Sequence, residues 1–369
     1  MADTRDIELV LVTGAGASCG LGAAGTKIAT MKEWANDLTG RLGSRDPSCS
    51  LLVGLQYGMD GMEFERRLGK FLASARSFSD ARELMLASSN VTYPPQFMNL
   101  MNRPNIEEWH RLVTFQIEQA LEVVHETLYS LFGNPSFDLK RARASYERLL
   151  AQVGLGPGAT NWVYATTNYD SVGDEALEEA GFRIAWGERH RVRAGEPVID
   201  PETLLDGVKT TVPVLHLHGR VGWFRRRAAE GGAAVAVGTT VYQPGFGTPI
   251  VMLPDPNKVY DSDPVINTIW AQFEQALART KRVLVLGHSL NDSQIVDAIA
   301  RFADSAHVAI TVYGHLSDPA QPDWNEDPIL TIREERLPDA TLIPMRFGED
   351  GVPRARLLDE WFELTARPQ

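Results

Sequence analysis

The chain has 369 residues, of which 44% are hydrophobic and 23% charged, with a formal net charge of -12 and two cysteines. It is long enough for one large domain with insertions or for two, and apolar enough to bury a core without staples. The acidic balance excludes a general nucleic-acid binder, because Lys and Arg on phosphates supply most non-specific affinity. Cys19 and Cys49 alone exclude a disulfide framework and a four-cysteine zinc site, and suit a reducing compartment. The opening MADTRDIE has no apolar h-region, and no stretch reaches the ~20 apolar residues of a membrane span, so the expected location is the cytoplasm.

The run IELVLVTG (Ile7 to Gly14) is apolar and of strand length, the pattern of a strand buried on both faces of a parallel sheet. A turn, GAGASCGLG, follows, and a helix is expected over Thr26 to Leu42. From Leu51 to Gly133 the pattern becomes helical. Its clearest part has Asn105 as N-cap, apolar residues from Ile106 to Leu131 at spacings of three or four, and Gly133 and Pro135 as a stop. That helix of about 27 residues would be about 40 Å long. Residues 51–135 therefore read as a helical insertion, and residues 1–50 with 136–369 as the domain it interrupts.

Strands and helices then alternate. NWVYATTNYD (Asn161 to Asp170) is a strand with a polar tip, followed by a helix from Val172 to Ala180. TVPVLHLHG (Thr211 to Gly219) is another such strand. A Gly-rich and Pro-rich stretch leads to a helix over Pro264 to Thr280, a strand at Val283 to Leu286, a helix from Asp292 to Phe302 and a strand at His307 to Gly314. ATLIPMRFG and a helix-like ARLLDEWFELTA close the chain. The arginines of GERHRVRAG and FRRRAAEGG sit in segments that read as too charged and Gly-rich for core, and serve either as solvated loop charge or as contacts to a phosphate or partner.

The fold class that follows is α/β, a doubly wound, Rossmann-like, mostly parallel sheet with a helical insertion. In such sheets ligands bind beyond the carboxyl ends of the strands, and GAGAS, TTNYD, HLHG and GHSLND all fall there. The backbone N–H groups of Gly14, Ala15 and Gly16 are candidates for an anion such as a pyrophosphate. A GxxxGxG parse through Gly16, Gly20 and Gly22 suggests instead a short-chain dehydrogenase, but none of the nine tyrosines has a lysine four residues on. Asn168 with Asp170, and His216 with His218, each stand at i and i+2. Such groups suit a sugar, with an amide and a carboxylate for hydroxyls or a carboxamide and an imidazole to accept a hydroxyl proton.

In this order, the four signatures resemble those of the sirtuin NAD pocket. The resemblance implies that Gly14, Ala15, Gly16 and Ser18 line the phosphates and that Thr167 and Asp170 belong to the cofactor pocket, Asp170 near the nicotinamide amide. It also implies that Asn168 and His218 are the catalytic pair beside the ribose, that Ser289 contacts the adenosine half, and that Gly287 and Asn291 belong to the cofactor pocket. The paired Cys-x-x-Cys motifs of zinc-bearing sirtuins are missing, and CGLGAAGTKIATMKEW stands where Gly-Ile-Pro-Asp-Phe-Arg is usual. The chain is closer to the zinc-less sirtuin-like NAD hydrolases of bacterial antiphage defence. That implies NAD as substrate, no zinc, a homo-oligomer and a partner such as a HerA-type ATPase, without membrane or direct nucleic-acid binding. A zinc-free deacylase, an ADP-ribosyltransferase and a non-catalytic nucleotide-binding subunit are the alternatives.

Overall fold

The computed structural model describes residues 6–23, 28–29, 31–44, 66–75, 77–78, 104–190, 197–208, 210–226, 233–236, 241–253, 260, 263–302, 306–312, 328–345, 347, 358 and 361–362. Cys49 and most of the terminal helix-like segment lie outside them. The chain divides into two compact units, one of Met1–Thr30, Phe132–Met252 and Lys258–Gln369, the other of Met31–Leu131 and Leu253–Asn257.

The strands in chain order are β1 (Leu9–Thr13), β2 (Trp162–Thr166), β3 (Ile184–Ala185), β4 (Glu188–His190), β5 (Pro197–Ile199), β6 (Val212–His216), β7 (Gly219–Arg225), β8 (Ala234–Ala236), β9 (Thr248–Val251), β10 (Arg282–Leu286), β11 (His307–Val312) and β12 (Thr341–Pro344). Seven form one sheet in the order β12-β11-β10-β1-β2-β6-β3. Every pairing in it is parallel, with Leu11 opposite Leu284 on one side and Tyr164 on the other. Both faces are covered, which is why β1 reads as unbroken apolar sequence. Val10, Val12, Val163, Val283 and Val285 pack with the helices Pro264–Arg279 and Ser293–Phe302. Leu9, Leu11, Trp162, Tyr164, Leu284 and Leu286 face the helices Leu139–Gln152 and Val172–Glu179.

The chain leaves β1 outward through β2 and β6, returns beside β1 at β10 and runs outward the other way through β11 to β12. The reversal of strand order falls between β1 and β10, where open α/β sheets form their ligand crevice. Sequence and structure differ in several places here: the helices Leu139–Gln152 and Pro328–Arg336 and the two-residue strand β3 are not expected from the sequence. The element after β1 is a five-residue helix, Ala15–Cys19, and the longer helix begins only at Met31. The stretch between β6 and the helix Pro264–Arg279 is not plain loop, since β4-β5-β8-β7-β9 form a second, antiparallel sheet.

The other unit contains the helices Met31–Ser44 and nearly all of Pro104–Phe132. The second helix has 29 residues and starts at Pro104, one residue before the expected cap position Asn105. Trp34 is fully buried and its Nε1–H donates to Thr127 Oγ1 at 2.9 Å. Arg41 donates to Ser130 Oγ at 2.7 Å. Among the described residues no helix is long and apolar enough to cross a membrane.

Candidate functional site

The turn after β1 rests on the turn after β10. Gly14 N–H donates to the Leu286 carbonyl at 3.1 Å and Gly16 N–H to the Gly287 carbonyl at 2.8 Å. A Cβ on Gly14 would lie 2.8 Å from His288 Cα, and one on Gly16 2.8 Å from the Gly287 oxygen. Gly287 has φ +60°, and a Cβ there would press into the Ala17 backbone. These glycines permit two backbones to touch. The donors of Gly14 and Gly16 are used inside the chain, while Ala15 and Gly16 are exposed at the crevice. Across it, Gly287 N–H donates to Thr311 Oγ1 at 3.2 Å, and Ser289 and Asn291 are exposed. Leu290 takes a left-handed backbone, φ 57°, with its N–H on His288 Nδ1 at 2.9 Å.

Beyond β2 the chain is tied back at once. Thr167 donates its N–H to the Thr13 carbonyl at 3.0 Å, and its hydroxyl to the same oxygen at 3.3 Å. Asn168 Nδ2 donates to Ser18 Oγ at 2.9 Å, and the Ser18 hydroxyl donates to Asp170 Oδ1 at 3.4 Å. Asp170 Oδ1 also accepts the Val172 N–H at 3.0 Å, at the start of the helix Val172–Glu179. Ser18, Asn168 and Asp170 are therefore one hydrogen-bonded group, all buried. Burial raises the Asp170 carboxyl to about 6, with nearby Asp174 adding to the rise; the Val172 N–H, His216 and Ser18 pull the other way.

The histidines of HLHG do not share a role. His216, the last residue of β6, is wholly buried, and its Nε2 lies 3.0 Å from Asp174 Oδ2. Arg220 Nε donates to the same oxygen at 3.1 Å. Burial pushes Asp174 up, but His216 and Arg220 more than offset it and hold the carboxyl below its ordinary range. His216 is thus part of a buried charge cluster packed edge-on to Trp223, at 5.4 Å between rings. His218 lies past the strand, its Nε2 3.0 Å from the Tyr260 hydroxyl and 3.2 Å from Asp292 Oδ2. Tyr260 Oη donates to the same Asp292 oxygen at 2.6 Å. Asp292 Oδ1 accepts the N–H groups of Gln294 and Ile295 at 3.2 and 3.4 Å and caps the helix Ser293–Phe302.

The strand register carries Asn168 and His218 to neighbouring tips, since Thr166 stands opposite His216. Tyr169 lies between the two groups, with its ring 6.2 Å from that of His218 and its hydroxyl donating to the Met252 carbonyl at 2.6 Å. The Met252 N–H in turn donates to the His218 carbonyl at 2.7 Å. Sequence reasoning missed Tyr260 and Asp292. The first stands among turn-forming residues, and the second was read as the end of GHSLND and the start of a helix, with no role at the site.

In FRRRAAEGG, Arg225 and Arg226 are held by partners within the chain, while the arginine side chains of GERHRVRAG lie outside the described residues. Arg225 grips Asp263 with two donors, each at 2.9 Å, and Arg226 donates to the Phe246 carbonyl at 3.0 Å. Arg220 lies over the Trp186 ring, 5.0 Å from its centroid. Arg225 and Arg226 thus brace the antiparallel sheet and its surroundings and are not solvated loop charge.

No family model matches the chain, and no curated protein matches it. Among solved structures, it is similar to a Sir2 homologue mutant in complex with 2'-O-acetyl ADP ribose, at 14% identity over 99% of this chain and 94% of that chain, with a TM-score of 0.38. A Sir2 homolog–NAD complex aligns at 12% identity over 98% of this chain and 91% of that chain, TM-score 0.34. Sir2Tm bound to a propionylated peptide aligns at 14% identity over 96% and 92%, TM-score 0.34. At TM-scores of this size the likeness carries no weight, and the site is assigned on its own residues.

Proposed function

We propose that this chain is an NAD glycohydrolase that cleaves NAD with water to nicotinamide, ADP-ribose and a proton. The observation that carries this reading is the pairing of Asn168, wired to Ser18 and Asp170, with His218, backed by Tyr260 and Asp292, at neighbouring strand tips. The nicotinamide–ribose bond breaks through an oxocarbenium-like transition state, its electron pair moving onto the pyridinium nitrogen. Such a reaction asks for a held leaving group, an oriented ribose and access for water, and no strong nucleophile. Asn168 orients the ribose or the incoming water, and His218 accepts a ribose hydroxyl proton and feeds electron density to the ring. In this reading Asp170 sits near the nicotinamide amide, Gly14, Ala15, Gly16 and Ser18 line the phosphate side, Ser289 the adenosine side, and Thr167, Gly287 and Asn291 complete the pocket. Zinc has no part in this chemistry.

The biological reading that goes with it is depletion of cellular NAD during infection by an oligomer of this chain, controlled by a partner such as a HerA-type ATPase. Uncontrolled hydrolysis would be toxic, which is the argument for control. The test is nicotinamide release by the purified protein, with and without an acylated peptide. Release without peptide, lost in Asn168→Ala and in His218→Ala, is the expected result. Wild-type release in both variants rejects the site, and peptide-dependent release favours a deacylase or transferase.

A further inference from the structure

We propose that Arg220 is a positioning residue that acts at a distance: by neutralising Asp174 it lets Asp170 carry its charge, and that charge orders the hydrogen bonds holding Asn168. This rests on the hydrolase reading for its catalytic consequence, while the control of charge stands on the buried groups themselves. Two carboxyls share the opening of the helix Val172–Glu179. Asp170 Oδ1 accepts the Val172 N–H at 3.0 Å, and Asp174 lies in the first turn. They are 5% and 1% exposed, so water screens neither, and ionising one disfavours ionising the other. Among the described residues, basic side chains bond to Asp174 and none to Asp170. Arg220 Nε lies 3.1 Å and His216 Nε2 3.0 Å from the same oxygen, Oδ2. Arg220 comes from β7, is charged at every accessible pH, and has its guanidinium 5.0 Å from the centre of the Trp186 ring. The other groups that bear on Asp170 stay neutral. Ser18 offers a hydroxyl, and burial pushes the phenols of Tyr146 and Tyr164 up, with both carboxyls adding to the rise. Burial likewise raises Asp170 most, Asp174 adds to it and His216 opposes it, so without Arg220 the Asp174 charge would act in full. An ionised carboxyl can only accept. Ser18 then gives its hydroxyl proton to Asp170 Oδ1 and receives one from Asn168 Nδ2 at 2.9 Å, which fixes the end of the amide turned toward Ser18. A protonated Asp170 can donate to Ser18 instead, and that order is lost.

The experiment titrates Asp170 in the full chain by 13C NMR of the aspartate carboxyls, its resonance assigned by loss in Asp170→Asn, and follows nicotinamide release by the same proteins across pH. Arg220→Gln is expected to raise the Asp170 midpoint by about one pH unit or more, and Asp174→Asn to lower it by a similar amount. Arg220→Lys, which keeps the charge, returns the midpoint most of the way to the wild-type value. The acid limb of kcat moves with the midpoint in each variant. Shifts of the same sign in Arg220→Gln and Asp174→Asn, or a midpoint that stays in place in both, assign the cluster to stability alone and overturn the proposal. If Arg220→Gln does not fold, the direction of the shift in Asp174→Asn, which keeps the shape of the side chain, decides by itself. Opposed shifts with an unmoved acid limb overturn the link to Asn168. Opposed shifts in a protein whose wild type releases no nicotinamide support the control of charge and reject the hydrolase reading instead.

Discussion

Ionising Asp170 puts a negative charge on a carboxyl only 5% exposed, within reach of a second acidic group, Asp174. Burial is the larger cause of its rise to about 6, and a rise of that size corresponds to about 3 kcal/mol. The sign follows from proton counting. Between the unfolded value and 6 the folded chain binds more protons than the unfolded one, so this residue lowers stability as pH rises through that window, fully so above it. Asp170→Asn keeps an oxygen for the Val172 N–H and the Ser18 hydroxyl while removing the charge. Urea unfolding is expected to show the variant more stable than wild type at pH 8, by about 1 to 3 kcal/mol, with the difference gone near pH 4. An equal difference at both pH values would trace the effect to packing. The retained charge is then a stability cost kept at the candidate site.

At the scale of elements, the dipeptide His218-Gly219 joins chemistry to backbone geometry. Gly219 has φ +72°, and a Cβ on it would run into the Ile250 carbonyl of β9. Gly219→Ala is expected to cost at least about 2 kcal/mol, from the left-handed backbone and the collision together, and to move the neighbouring His218. Gly245→Ala, where a Cβ would meet nothing within 4 Å, is the control and should change stability by less than about 0.5 kcal/mol. Chemical denaturation of both variants checks the pair, and equal losses would contradict the glycine's assignment. Strands β1, β2, β6 and β10 were legible because each is buried along its length and ends abruptly in polar residues, which exposed Asn168 and His218 as well, whereas the parallel edge strand β3, two half-buried residues, was not. The antiparallel sheet was not either. Strands β4, β5 and β8 have three residues each, too few for period-two alternation to register, and Arg225 in β7 hides its partner Asp263 38 residues away. Tyr260 was invisible for the same reason, since only the fold brings it to His218 and Asp292.

For the molecule as a whole, the site makes folding and ligand binding one equilibrium. A ligand held only by the folded state adds about 2.7 kcal/mol at a hundred times its Kd, and this can be read without turnover in a His218→Ala chain, which is expected not to consume NAD. The unit holding Asn168 and His218 is assembled from three separated stretches of sequence, and a chain of two compact units need not melt in one step. The transition to follow is therefore that of the strand-bearing unit. Its melting temperature is expected to rise by several degrees with NAD and with ADP-ribose, and by less with nicotinamide, which fills only one end of the crevice. The rise with ADP-ribose should fall sharply in Ser18→Trp, which would place bulk where Asn168 and Asp170 meet, provided its unliganded melting temperature stays near that of the parent. A shift with NAD in wild-type protein that releases no nicotinamide would mark a binding subunit. No shift with either NAD or ADP-ribose at millimolar concentration would remove NAD from this crevice altogether.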